Sequence, residues 1–185
     1  MTKKKNSLLK HLFSYVLLFA VLFLVANLLM TFIFSSEQIH EESMEPNFTE
    51  GDRVLSFRLS KINRGDVIIF KAPNKSNKYY IKRVIGIPGD DISYRKDQLY
   101  INGEHQKENY LKDFQSSQQH QSNFTKSFTL KKLLDVDAVP NDKYFVLGDN
   151  RSISEDSRTY GFISRSSIVG VVFIRFWPIG HFKIY

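Results

Sequence analysis

From Leu12 to Phe34 the chain reads LFSYVLLFAVLFLVANLLMTFIF, with no charged side chain anywhere in the run. A helix rises about 1.5 Å per residue, so this run spans roughly 30 Å or slightly more, enough to cross the hydrocarbon core of a bilayer. Asn27 and Thr31, its clearest polar members, are tolerable in a helix that meets headgroups or a partner. A removable secretory signal has an apolar core of only about 7–15 residues, followed by small residues at the cleavage point. Here the run is longer and closes on Phe32-Ile33-Phe34. The reading is therefore a retained transmembrane anchor over 12–34. Lys3, Lys4, Lys5 and Lys10 precede it, and basic flanks stay inside. Residues 1–11 then form a cytoplasmic tail and residues 35–185 an extracytoplasmic domain. The expected protein is a single-pass resident of the cell membrane, with the lipid bilayer as one partner.

The same lysines dispose of a nucleic-acid reading. They supply four of the seven formal positive charges, leaving a balance of three for everything that follows. A basic cluster abutting an apolar run is a membrane flank. Cysteine is absent, which excludes disulfides, Cys-based zinc sites and thiol catalysis. Sixteen Phe and nine Tyr suit an aromatic, β-rich core. After Ser35, strand-like runs alternate with turn signals: Arg53–Leu59, Asp66–Phe70, Tyr79–Ile87, Asp91–Tyr94, Gln98–Ile101, Tyr144–Leu147 and Ile168–Phe176. No long helical period follows the anchor. A polar insertion near 104–142, richest in Gln, Ser and Asn between Lys107 and Lys126, reads as a surface segment of weak packing capacity. The fold class is mainly β, of sandwich or barrel type, behind one N-terminal transmembrane helix.

Ser43 falls nine residues beyond the apolar run, in Ser43-Met44-Glu45-Pro46. A serine nucleophile needs a base. Among the histidines, His11 flanks the anchor, His105 and His120 lie in or beside the polar insertion, and His181 is near the terminus. His40 is close in sequence to Ser43 but has no orienting pattern around it. No His-Glu-x-x-His and no tight His/Asp cluster suggests a metal, and no cofactor is implied. Lysine is the other base that activates serine. In Tyr80-Ile81-Lys82-Arg83-Val84-Ile85-Gly86, strand alternation puts Lys82 on one face and Arg83 on the other, so one of them points inward. An inward arginine stays charged, whereas burial drives a lysine towards the free amine. On the alternation alone a solvated Lys82 whose stem covers apolar surface is the plainer reading, since lysines are mostly exposed. The third segment runs from Gly148-Asp149-Asn150-Arg151 to Ser154-Glu155-Asp156-Ser157-Arg158. Asp156 with Arg158 or Arg151 would hold a loop, and Ser154 would reach an amine.

Together these segments resemble the type I signal peptidases. The matches keep that family's order: the anchor, Ser43-Met44-x-Pro46, Gly65-Asp66-Val67, Lys82-Arg83-Val84-Ile85-Gly86-x-Pro88-Gly89-Asp90, then the Gly148–Arg158 block. The resemblance covers nearly the whole chain from the anchor to Trp177-Pro178, and is similar to the smaller Gram-positive enzymes. It implies a β-rich catalytic domain with Ser43 as nucleophile and Lys82 as general base. Ser154 would orient the amine, Asp156 and Arg158 would brace the loop, and Gly148 and Asp149 would shape the turn beneath it. Met44 and Pro46 would flank the substrate and oxyanion region. The implied partners are exported preproteins cut after small residues of the Ala-x-Ala type, by a monomeric enzyme.

The sequence departs from the family pattern at Glu41, where Gly or Ser is common two positions before the nucleophile, and at Asn47, where Thr usually follows the proline. Glu41 and Glu42 would repel negative charge developing near Ser43 unless they face solvent. They favour an alternative, an idle relative that binds exported or pilus-type proteins as an assembly factor. Intact Ser43 and Lys82 oppose it. A self-cleaving repressor-type protease shares the chemistry, but would carry a DNA-binding module in place of an anchor.

Overall fold

The structure is a computed structural model that describes residues 2–73, 78–112 and 124–185. Helix α1, Thr2–Ile33, stands clear of the rest. Its apolar side chains from Leu12 to Phe32 are exposed, and over His11–Ile33 it is long and apolar enough to cross a membrane by length and composition. The chain passes without a loop into β1 (Phe34–Gln38). Arg58 clasps the junction: its backbone N–H donates to the Ile33 carbonyl at 2.9 Å and its Nε to the Phe34 carbonyl at 3.3 Å.

Two antiparallel sheets make up the domain. The larger runs in the order β1, β2 (Arg53–Phe57), β11 (Ile168–Trp177), β3 (Val67–Lys71), β4 (Tyr79–Gly86), β9 (Lys143–Leu147), β10 (Ile163–Ser164), with β12 (Lys183–Ile184) also paired to β11. The smaller runs β7 (Glu104–Gln106), β6 (Gln98–Ile101), β5 (Ile92–Arg95), β8 (Phe128–Thr129). Among the described residues, the short helices α2 (Leu130–Leu134) and α3 (Ser157–Tyr160) sit in connections.

All seven expected strands form, with shifts of one or two residues at some ends. The additional strands are two to five residues long and polar or edge-placed, so alternation within them is too brief to register. The middle of the large sheet explains the site. On β3, Val67 and Ile69 join a core with Met44, Phe48 and Val54, while Ile68 and Phe70 join another with Tyr80, Val84 and Val146. Its neighbour β4 is likewise covered on both faces from Tyr80 to Gly86. The expectation that only one of Lys82 and Arg83 points inward therefore fails: both are buried, at 0% and 6% exposure.

The polar insertion divides. Residues 113–123, including His120, lie outside the described residues, whereas the flanks pack firmly. Leu111, Leu130 and Val139 are buried, and Tyr110 packs against the core between the two sheets. Glu108 pairs with the guanidinium of fully enclosed Arg151, which also donates to the Tyr94 hydroxyl.

Candidate active site

Ser43 sits in a single 3₁₀ turn, Glu42–Met44, entered through extended backbone at Glu41. The turn is pinned by its apolar neighbours, since Met44 and Phe48 are both at 0% exposure in a core with Ile39, Val67, Ile69 and Ile81. Pro46, reached through a cis bond, is exposed in the turn that follows. The Ser43 carbonyl accepts the Asn150 N–H at 3.0 Å, which ties the Ser43 turn to the loop after β9.

Lys82 projects from β4 and donates from Nζ to Ser43 Oγ at 2.7 Å. It also donates to Glu41 Oε2 at 3.4 Å, and Ser43 Oγ lies 3.5 Å from that same oxygen. The Tyr80 ring centroid is 5.1 Å from Nζ. Burial holds the Lys82 ammonium below its ordinary value of 10.5, opposed in part by the charges of Glu41, Asp156 and Glu155. A lysine of lowered pKa within hydrogen-bond reach of a serine hydroxyl is competent to take its proton. His40 is exposed and borders the same space, but among the described residues no hydrogen bond joins it to Ser43.

The loop after β9 closes the floor. A Cβ built on Gly148 would stand 2.2 Å from Ser154 Oγ and 2.4 Å from the Ser43 carbonyl oxygen, so only glycine admits this approach. Asp156 caps α3 and binds Arg158 through both carboxylate oxygens at 2.8 Å, while also accepting the Gly148 N–H at 3.1 Å. Arg158 in turn donates to the Arg151 carbonyl at 2.8 Å. Of the two arginines offered to Asp156 by the sequence, Arg158 takes it and Arg151 turns away to Glu108. Ser154 Oγ is buried and without a hydrogen-bond partner among the described residues.

Three contributors escaped the sequence reading. Arg83 forms a two-point ion pair with Asp149, Nε to Oδ1 at 2.8 Å and Nη2 to Oδ2 at 2.6 Å, and stacks 4.0 Å over the Tyr110 ring. Asn47 donates to Asp149 Oδ2 at 2.9 Å and to the Tyr110 carbonyl at 2.8 Å. Asn150 holds the Ser43 carbonyl. The signal available was an acidic residue directly after Gly148 facing a strand with two adjacent cations. Its partners are far apart in sequence, and spacing does not reveal them.

Beside the pair lies a cavity of about 510 Å³, walled by Glu37–Glu41 on one side and Lys78–Ile81 on the other. On β4, β3 pairs with Tyr79–Arg83 whereas β9 pairs only with Arg83, Val84 and Gly86. On that side β9 does not reach Tyr79–Lys82. A second cavity of about 380 Å³ touches Ser43 itself, with Glu41, Tyr80, Ile153 and Glu155 on its walls. No group of three or more carboxylates or histidines suited to a metal ion occurs among the described residues.

Residues 12–177 match the family model described as "Signal peptidase, peptidase S26". The chain is similar to signal peptidase IB of Staphylococcus aureus, 39% identical, with 97% of this chain and 94% of that protein covered. It is also similar to signal peptidase I V of Bacillus subtilis, 43% identical over 76% of this chain and 84% of that one. Among solved structures, a signal peptidase I of Enterococcus faecalis superposes with a TM-score of 0.57 at 41% identity, covering 60% of this chain and 97% of its own.

Proposed function

Because the chain belongs to the signal peptidase family of serine peptidases, we propose that it removes signal peptides from exported preproteins with Ser43 as nucleophile and Lys82 as general base. The observation that carries this reading is the 2.7 Å contact between Lys82 Nζ and Ser43 Oγ, made by a fully buried lysine beside a cavity.

The mechanism follows from the positions of the groups. The free amine of Lys82 accepts the Ser43 proton as Oγ attacks the scissile carbonyl carbon. Negative charge then develops on the carbonyl oxygen, and the Ser43 backbone N–H stabilises it. Lys82, now an ammonium, gives its proton to the departing amine. Water enters, Lys82 takes one of its protons, and the acyl-enzyme is hydrolysed. The orienting role that the family resemblance gives Ser154 is not made as a direct contact here, since its buried hydroxyl has no hydrogen bond to Lys82. Asp156 and Arg158 fix the loop that carries it.

The substrate lies extended in the cavity between Tyr79–Lys82 of β4, which β9 does not reach, and Gln38–Glu41, where main-chain hydrogen bonds hold it and side chains alternate into the cavity. Ile39, Val54, Ile69 and Ile81 supply an apolar lining, which admits small residues of the Ala-x-Ala type. Helix α1 anchors the enzyme with the β domain on the extracytoplasmic side, so enzyme and preprotein share one bilayer and meet at raised effective concentration.

The test is incubation of the detergent-purified chain with a preprotein bearing an Ala-x-Ala signal, with the product sequenced. The parent is expected to cut after the second Ala, and Ser43→Ala and Lys82→Ala are each expected to lose roughly 10³-fold or more in rate. Cleavage that survives Lys82→Ala refutes the pair and redirects attention to His40. Absence of cleavage of several preproteins by folded parent protein refutes general signal-peptide removal and supports the binding relative.

A further inference from the structure

Glu41 reaches the site from the cavity side. A single carboxylate oxygen lies 3.4 Å from Lys82 Nζ and 3.5 Å from Ser43 Oγ. The Glu41 side chain is 39% exposed whereas that of Lys82 is at 0%. We propose that Glu41 is a positioning residue of the pair, holding the Lys82 amine against Ser43 and setting the pH at which that amine becomes free to act as a base. The inference rests on the Ser43–Lys82 reading above.

Each element packed around Lys82 contributes to the balance. From its own strand comes Tyr80, with Tyr160 stacked on that ring. From the loop after β9 come Glu155 and Asp156, and the charge of Asp156 is offset by its two-point pairing with Arg158. His40, Glu42 and Glu50 border the cavity next to Ser43. Glu41 differs from all of these, because among the described residues its paired cation is Lys82 itself. Burial favours the free amine, and Glu41 is the carboxylate in direct contact that favours the ammonium. The consequence is two-sided. Glu41 delays deprotonation to a higher pH, and it stabilises the ammonium that forms when Lys82 takes the serine proton.

The sign is fixed by these roles. Loss of the Glu41 charge lets Lys82 shed its proton at lower pH, so the acid limb of kcat/KM moves down. An opposite charge within about 4–6 Å moves a pKa by about 1–3 units, and solvent access to Glu41 puts this case at the low end, about one unit. The full chain in detergent, labelled with ¹³C-lysine, gives the Lys82 Cε titration directly, its signal identified by its loss in Lys82→Met. Glu41→Gln and Glu41→Gly are both expected to lower that midpoint by about one pH unit, and to move the acid limb of preprotein cleavage equally. Glu50→Gln is expected to move neither by more than about 0.3 of a unit, since it acts only through the general field of the cavity. An unchanged Lys82 midpoint in both Glu41 variants overturns the proposal. So does an equal displacement in Glu50→Gln, which would make the effect a field and not a contact. Failure of the parent to cleave any preprotein would sink the substrate reading alone, because the lysine titration still decides the role of Glu41.

Discussion

A buried ammonium is costly, and Lys82 has its pKa held below 10.5 chiefly by burial. Between the lowered value and 10.5 the unfolded chain binds a proton that the folded chain does not, so stability rises with pH across that window. Below it, the fold bears the whole cost of enclosing the charge. Lys82→Met removes that cost and is expected to raise Tm, by most at pH 6 and by progressively less towards pH 10.5. The difference is about 1.4 kcal/mol for each pH unit of the window, read by calorimetry in detergent across that range. A Tm that falls on this substitution at every pH would mean that the contacts of the lysine outweigh its burial. Gly148 makes the opposite case, a residue whose value is what it lacks. Gly148→Ala puts a methyl 2.4 Å from the Ser43 carbonyl, backbone that has no rotamer in which to retreat. Ser43, the proposed nucleophile, must shift, and a displacement near 1 Å is expected to cost about 10²-fold in rate, alongside roughly 1–3 kcal/mol of overpacking. Preprotein cleavage and urea titration of this variant test the two effects separately.

Among the elements, β4 unites fold and chemistry. It crosses the middle of the large sheet, pairs with β3 on one side and β9 on the other, and turns Lys82 to the serine and Arg83 to Asp149. Asp149→Leu leaves the buried Arg83 guanidinium without its carboxylate and is expected to cost about 3–5 kcal/mol. The double change Arg83→Met with Asp149→Leu is expected to recover most of that loss, since a well-packed apolar pair replaces a buried ion pair at little cost. Urea midpoints of the single and double variants decide the point. The alternation of β4 was plain in the sequence, as were the turns around it. That both of its faces are covered was not, because covering depends on which strands lie beside it and the order of the sheet leaves no periodic trace. The same limit applies to Arg83–Asp149, separated by 66 residues. It applies equally to Asn47, whose amide serves Asp149 across 102. Ser43, Lys82 and the Gly148–Arg158 block were legible as candidates because their short motifs stand together in one order, whereas the strand pattern around Lys82 alone did not single it out. Glu41 was legible only as an anomaly, and its contact with Lys82 needed the three-dimensional arrangement.

For the whole molecule, the apolar helix and the β domain meet at one junction, clasped by Arg58 at Ile33 and Phe34. No core cluster among the described residues includes a side chain of α1. A chain beginning at Ile33 is therefore expected to fold, to keep its Tm, and to cleave a short soluble signal-type peptide at the parent's rate. Against a preprotein held in lipid vesicles it is expected to fall by about 10–10² in rate, the loss of a shared surface. Equal loss on both substrates would show instead that the helix shapes the site. The direct passage from α1 into β1 has a last consequence. Five extended residues at about 3.3 Å each cover roughly 17 Å, and residues 39–41 then lead to the turn bearing Ser43. With α1 as the proposed anchor, so short a path makes β1 a ruler set at one end by the hydrocarbon boundary. Where a preprotein is cut is then expected to depend on how far its own apolar segment sinks, as well as on which residues flank the bond.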